Sequence, residues 1–260
     1  MTAGPSDRGA QSTAGASDRG AQSTAGASDR GAQSTAGASD RGAQSPIDVR
    51  MFTVGPVQEN CYVVRPKGSD RAVIVDPGEE APRLLGALQS LGVTELEAII
   101  LTHTHFDHIG AVAPVANATG APVYCPELEQ QVLANIMDYV PWPGFGPFES
   151  YEADRTVEGG ETLSLAGLTF EVIFTPGHSP GHVTYAIRDA DALFSGDVLF
   201  EGSVGRVDLP GGDWPTLLAS IDSLMGAFPA HTTVYPGHMG ITTLGRERAS
   251  NPFLRELAQP

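Results

Sequence analysis

The histidines of this chain are not scattered, and their grouping is the strongest constraint on how it can fold. Five of the seven lie in three short segments, His103-Thr104-His105-Phe106-Asp107-His108, Thr175-Pro176-Gly177-His178 and Tyr235-Pro236-Gly237-His238. A fourth segment, Ser195-Gly196-Asp197, adds a carboxylate. Each follows a run that reads as a strand. The clearest is Ala98-Ile99-Ile100-Leu101, whose near-continuous apolar character suits a strand buried on both faces. Side chains that follow such strands stand at a sheet edge, so a fold that uses these segments together must bring distant strand ends to one place.

Neutral imidazole and carboxylate are donors that borderline divalent cations accept, zinc foremost and iron or manganese as well. Residues two apart in extended chain point the same way, so His103 and His105 can share one cation. Asp107 and His108 come as the chain bends into the helix-like stretch Ile109 to Ala118. They can face a neighbouring cation, and a helix amino end tolerates the carboxylate. A lone histidine is usually a packed polar group or a surface residue. Three clustered with an aspartate, with further segments each placed after a strand, point instead to a site for two divalent metal ions.

These residues resemble the metallo-β-lactamase superfamily and, within it, glyoxalase II-like hydrolases. The match runs from about Met51 to the end. Val75-Asp76-Pro77-Gly78 looks like the first motif, whose aspartate supports the histidine loop; His103 to His108 is similar to the second, and His178, Asp197 and His238 to the third, fourth and fifth. The resemblance implies an α/β fold, a four-layer αββα sandwich. It also implies His103, His105 and His178 on the first metal, Asp107, His108 and His238 on the second, and Asp197 bridging both, with Asp107 and Asp197 as the catalytic carboxylates. Phe200 to Gly212, Thr242 to Glu247 and Asn251 to Leu254 are similar to a subgroup of short bacterial hydroxyacylglutathione hydrolase-like proteins. Larger glyoxalase II enzymes hold glutathione with an added helical domain that has no counterpart after His238, which leaves the thiol carrier open.

Before Pro46 the chain repeats Thr-Ala-Gly-Ala-Ser-Asp-Arg-Gly-Ala-Gln-Ser four times, with Pro5 replacing an alanine in the first copy. No copy holds a Val, Ile, Leu or aromatic residue, so little apolar surface offsets an ordering cost of about 1 to 2 kcal/mol per residue. Residues 1–45 are therefore expected to be disordered, and 46–260 to form one hydrolase domain. Each repeat is neutral, which puts the formal charge of −16 on the domain and argues against nucleic-acid partners. Two cysteines, no leader and no long apolar run suggest a cytoplasmic protein without membrane contact. Nothing in the residues sets an oligomeric state.

Periodicity places strands near Met51–Val54, Cys61–Arg65, Ala72–Val75, Ala98–Leu101, Pro122–Tyr124, Leu168–Phe174, Val183–Ile187, Ala192–Ser195 and Thr233–Tyr235. Helices are expected at Pro82–Leu91, Glu127–Tyr139 and Pro215–Phe228. Two sheets face to face inside outer helices suit this order.

Two bridged cations lower the pKa of a shared water from 15.7 towards about 7 and polarise a carbonyl, so hydroxide can attack without a strong protein base. No spare acid stands beside the ligands. That favours a thioester, whose thiol has a pKa of about 8.5 and leaves unprotonated. The expected substrate is a small-molecule thioester such as an S-2-hydroxyacyl (lactoyl) thiol conjugate. Alternatives with the same ligands are a mononuclear iron persulfide dioxygenase, a lactonase or lactamase, and a metal-binding protein without activity. Asp76 is expected to accept hydrogen bonds from the histidine loop, and His182 to support the ligands without being one. Arg206 either orients its loop by a salt bridge or holds an anionic substrate group. The aromatics of Tyr139 to Phe148 either form a lip over the cleft or cover the core.

Overall fold

Neighbouring residues of the central strands face different cores, and that alternation sets the layers. A computed structural model describes residues 33–34, 45–140 and 142–255. Its strands are β1 (Gln33–Ser34), β2 (Ile47–Val54), β3 (Glu59–Pro66), β4 (Arg71–Val75), β5 (Glu95–Ile100), β6 (Val123–Pro126), β7 (Arg155–Val157), β8 (Thr162–Leu165), β9 (Leu168–Phe174), β10 (Val183–Ile187), β11 (Ala192–Gly196), β12 (Leu199–Phe200), β13 (Ser203–Val204), β14 (Thr233–Pro236) and β15 (Thr242–Thr243). The helices are α1 (Ala81–Ser90), α2 (Phe106–Ile109), α3 (Val112–Thr119), α4 (Gln130–Ala134), α5 (Trp214–Ala227) and α6 (Leu244–Ser250). β1 to β7 form one sheet in chain order, and the second is ordered β15-β14-β11-β10-β9-β8.

Val64, Val73, Val75 and Ile100 of the first sheet meet Phe170, Val172, Tyr185 and Phe194 of the second in one core. Their neighbours Val63, Ile74 and Ile99 turn outwards under Leu84 and Leu88 of α1 and Val112 and Val115 of α3. On the far side Ala186, Leu193 and Val234 pack against Leu217, Ile221 and Leu224 of α5 and Leu244 of α6. The layers are therefore helix, sheet, sheet, helix. Each fully buried leucine or isoleucine contributes about 1.5–3 kcal/mol, and this packing, more than intrinsic propensity, sustains even α5, the longest helix described. Asp213 caps α5 by accepting from Thr216 N at 3.0 Å.

Local details depart from the expectations where a tertiary partner takes a backbone group. The stretch expected as one helix over Ile109–Ala118 is split, because Ala111 N donates to Pro77 O at 3.0 Å. Glu127–Tyr139 is not one helix either. It is a 3₁₀ turn at Glu127–Glu129, then α4, then a 3₁₀ turn at Ile136–Asp138, with breaks at Glu129 (φ −114°, ψ 0°) and Asn135 (φ −143°, ψ 42°). The largely exposed edge strands β7 and β8 carry too weak an apolar pattern to be read beforehand. Of the repeat region, Gln33–Ser34 pairs antiparallel with Met51 and Arg50 at the edge of β2. The expected disorder of residues 1–32 and 35–44 lies outside the described residues.

The pairings also decide where the site falls. β4 runs parallel to β5, β11 runs parallel to β14, and β9 shares the direction of β11 because both are antiparallel to β10. Val183 N donates to Thr102 O at 2.8 Å and the Tyr185 hydroxyl to Leu101 O at 3.0 Å, joining the two sheets where β5 ends. Among the described residues, no helix is long and apolar enough to cross a membrane.

Candidate metal centre

Five strand ends deliver the site. Asp76 follows β4, His103 and His105 follow β5, His178 follows β9, Asp197 follows β11 and His238 follows β14. Asp107 and His108 lie in α2, with Asp107 in its first turn. Three groups of donor atoms lie within 4.8 Å of one another: His103, His105 and His178; Asp107, His108 and His238; and Asp76, His103 and His108. The third is not a ligand set, because both Asp76 oxygens are taken. Oδ1 accepts from Thr102 N at 2.7 Å; Oδ2 accepts from the Thr102 hydroxyl at 2.6 Å and from His108 Nδ1 at 3.1 Å.

Asp197 lies between the other two groups. Its Oδ1 is 3.4 Å from His108 Nε2, and its Oδ2 is 3.4 Å from His178 Nε2 and 3.6 Å from His238 Nε2. His238 Nε2 is 3.3 Å from Asp107 Oδ2. Donors about 2 Å from one tetrahedral cation stand about 3.3 Å apart, so these separations fit divalent metal. Unused donors agree: His103 Nε2, His108 Nε2 and Asp197 Oδ1 are buried and have no hydrogen-bond partner in the protein. Buried polar atoms without partners are costly, and a cation would satisfy all three.

The hydrogen bonds also select which nitrogen each ring presents. His178 Nδ1 donates to the Arg206 carbonyl at 2.7 Å, which leaves Nε2 facing Asp197. The Thr102 hydroxyl, having given its proton to Asp76, accepts from His103 Nδ1 at 3.1 Å. His108 Nδ1–H is held by Asp76. His105 presents Nδ1, 2.8 Å from His178 Nε2. Gly237 fits where nothing larger does: a Cβ there would overlap Asp197 Oδ1 and lie 2.7 Å from His108 Cε1.

Electrostatics divide the two trios. Burial, reinforced by His108, His105 and His178, holds His103 well below the ordinary imidazole range. Burial and then His178 bring His105 down to about 4. Both rings are neutral near pH 7, the form that can donate to a metal. In His108 burial acts downwards, but Asp197 and Asp107 outweigh it and raise it well above normal. In His238, too, burial is outweighed, by Asp197 and the hydrogen bond to Asp107. Burial would raise Asp197, yet His238, His108 and His178 hold it well below the carboxylate range. Burial thus prevails in His103 and His105, and the carboxylates prevail in His108 and His238.

The remaining expected residues stand behind the donors or outside them. His182 Nε2 accepts from Asp197 N at 3.1 Å and its Nδ1 donates to the Thr175 hydroxyl at 3.0 Å, so it fixes the backbone of the central carboxylate. Arg206 bears on the centre through its carbonyl; its guanidinium is paired with Asp208 at 2.6 and 2.7 Å and lies 5.7 Å from the Trp142 ring centroid. His231 is exposed, 3.2 Å from Asp191. Part of the aromatic segment covers the core: Phe145 and Phe148 pack on Phe106, while Tyr139 and Trp142 remain 49% and 40% exposed. Both cysteines are buried and free.

Sequence reasoning missed two buried glutamates. Glu59 stands 3.7 Å from His108 Nδ1, on the side of the ring away from Nε2, and neither of its oxygens has a hydrogen-bond partner. Burial pushes its carboxyl well above the usual range, with His108 opposing. Glu129 accepts hydrogen bonds from both ligand loops. Neither carries a local signal, since each looks like the polar end of an ordinary element.

An αββα sandwich with histidines and aspartates gathered at its strand ends defines a metallo-hydrolase. Comparison with known proteins agrees: the metallo-beta-lactamase superfamily model matches residues 54–238. The chain is 41% identical over 210 residues to the probable metallo-hydrolase YqgX of Bacillus subtilis, covering 79% of this chain and 96% of that one. It is 33% identical over 210 residues to hydroxyacylglutathione hydrolase GloC of Haemophilus influenzae, covering 80% and 98%. Two crystal structures superpose over most of their length. BLEG-1, a B3 metallo-beta-lactamase, has a TM-score of 0.75 at 41% identity, with 79% of this chain and 99% of that one covered. TTHA1623 in a di-iron-bound form has a TM-score of 0.63 at 42% identity, covering 78% and 99%. The chain belongs to the metallo-β-lactamase superfamily, whose fold implies bound divalent metal, and its histidine clusters fit a dinuclear centre.

Proposed function

We propose that the protein hydrolyses a thioester of a small thiol, such as an S-2-hydroxyacyl conjugate, at a dinuclear centre. His103, His105 and His178 would hold the first cation and Asp107, His108 and His238 the second, with Asp197 available to both. The observation that carries this reading is the position of Asp197, whose Oδ2 lies 3.4 Å from His178 of the first trio and 3.6 Å from His238 of the second, and whose Oδ1 lies 3.4 Å from His108. Bound there, zinc or another divalent metal such as iron or manganese supplies Lewis acidity and an acidified water.

The chain's own residues prepare that site. Asp76 and the Arg206 carbonyl keep protons on Nδ1 of His108 and His178, so that each Nε2 remains a donor. His182 holds the Asp197 amide in place. Water adds to the thioester carbonyl carbon and gives up its protons to solvent, the C–S bond breaks, and the products are a carboxylate and a thiolate. No described acid is placed to protonate a poorer leaving group: Glu59, whose carboxyl burial pushes well above the usual range, is sealed behind the His108 ring. A thiol with a pKa of about 8.5 needs none, whereas an amine does. The likeness to GloC supports the same substrate class. The substrate partner is thus a small molecule, and the acidic chain suits the cytoplasmic setting expected from its composition.

Metal-stripped protein reconstituted with zinc, iron(II) or manganese(II) should hydrolyse S-lactoylglutathione or another acyl-thiol conjugate, and Asp197→Ala should abolish that turnover. The likeness to BLEG-1 makes a β-lactam the necessary competitor in the panel. A dinuclear protein that cleaves the lactam or a lactone but no thioester, or that consumes oxygen with a persulfide, would overturn the proposal.

A further inference from the structure

We propose that Glu129 is a positioning residue for the first cation, its carboxylate tying the loop of His103 and His105 to the loop of His178. This rests on the ligand assignment above. Oε2 accepts from Thr104 N at 2.7 Å and from the Thr104 hydroxyl at 2.9 Å. Oε1 accepts from Gly181 N at 2.9 Å and from the Ser179 hydroxyl. Thr104 lies between His103 and His105, and Ser179 follows His178. The first loop leaves β5 in one sheet and the second leaves β9 in the other, so one side chain buckles the two sheets together beside the trio.

Three features show that the chain is built around this contact. Glu129 is only 5% exposed, and a buried carboxylate is tolerated when hydrogen bonds satisfy it, as four donors do here. A Cβ on Gly181 would lie 2.6 Å from Glu129 Cγ and 3.0 Å from Leu128 Cβ, so only glycine lets that amide reach the carboxylate. Glu129 also marks the break before α4, where φ −114° and ψ 0° depart from helical geometry. His105 Nδ1 and His178 Nε2, the nitrogens that the two loops bring together, are 2.8 Å apart. Ligands of a functional site need to be held within about 0.5 Å, which loops from separate sheets do not achieve without a link.

The test is stepwise binding of cobalt(II) to the metal-stripped full-length chain, read by heat and by visible absorption. Wild type should take two equivalents. In Glu129→Gln an amide NH₂ confronts donors that now meet an oxygen. Affinity at the first site should fall about 10–100-fold while the second site stays nearly unchanged, and the first-site absorption should be lost. Ser179→Ala and Thr104→Val each remove one hydroxyl donor and should weaken the same site by about 2- to 10-fold, which decides the matter if Glu129→Gln does not fold. Glu247→Gln is the control: that buried carboxylate accepts from Gly202 N and Asn251 Nδ2 and touches neither ligand loop, so its loss should lower Tm without selective loss of one site. Variants at 129, 179 and 104 that bind both equivalents as tightly as wild type would overturn the proposal alone. So would a Glu129→Gln defect no more site-selective than that of Glu247→Gln. A wild-type chain taking fewer than two equivalents would sink the ligand assignment, and this proposal with it.

Discussion

Replacing Asp76 by asparagine should separate metal binding from folding. Asp76 receives three donors on two oxygens, at 2.7 Å from Thr102 N, 2.6 Å from the Thr102 hydroxyl and 3.1 Å from His108 Nδ1. Its backbone is left-handed, with φ 47°, a conformation asparagine adopts as readily as aspartate, so the substitution brings no new backbone strain. Asparagine has one acceptor oxygen. If that oxygen keeps the Thr102 amide, the NH₂ group faces the threonine hydroxyl, which can rotate, and His108 Nδ1, which cannot. To serve the second cation His108 must give up its Nε2 proton and keep Nδ1–H, which the NH₂ group now opposes. One charge-assisted bond is lost from a buried network, about 1.5–3 kcal/mol in the metal-free protein. The metal effect should be of similar size, about 10–100-fold in affinity at the second site. Urea denaturation of the metal-free variant gives the first quantity, a metal titration the second, and imidazole nitrogen shifts in an NMR spectrum the tautomer. An Asp76→Asn protein with His108 Nε2 unprotonated and both sites at wild-type affinity would refute the reasoning.

Three further outcomes are expected. Gly237→Ala puts a methyl group onto Asp197 Oδ1 and 2.7 Å from His108 Cε1, so the variant should fold yet retain at most one metal after dialysis; two retained equivalents would contradict the packing. Arg206→Ala keeps the carbonyl that holds His178 and loses an exposed ion pair and the contact with the Trp142 ring, so metal stoichiometry should not change; metal loss would transfer the positioning role to the guanidinium. The metal-free protein should be most resistant to urea near pH 6.5. Burial lowers His103, His105 (to about 4) and His182, so below about 6.5 the unfolded chain binds protons that the folded one refuses, and stability drops as pH falls towards 4. His108 and His238 shift upwards, burial being outweighed by Asp197 and Asp107, so their contribution is complete below about 6.5 and is lost as pH rises through the raised values. A urea midpoint that climbs steadily from pH 6.5 to 4.5 would show that these groups do not govern the metal-free fold.

The strands that frame the site were legible because their signal is local. Leu168–Phe174 and Val183–Ile187 have the bounds that their apolar runs imply. That these side chains would gather was legible too, since few chemistries place so many imidazoles beside aspartates. Elements governed by a distant partner were not. The single helix expected over Glu127–Tyr139 breaks at Glu129, and nothing within that stretch shows that its carboxylate is held by Thr104, Ser179 and Gly181. Arg206 drew attention for its charge, yet it reaches His178 through its backbone oxygen, an atom every residue possesses.

Residue type and spacing alone determined which atoms could serve as ligands, which stretches would pleat, and that the repeats could add little to a core. Only the tertiary structure decided which nitrogen of each ring faces inwards and how far Asp197 stands from each trio. A ring's free nitrogen is the one its neighbour does not occupy, and those neighbours, Asp76 beside His108 and the Arg206 carbonyl beside His178, arrive from other loops when the two sheets close.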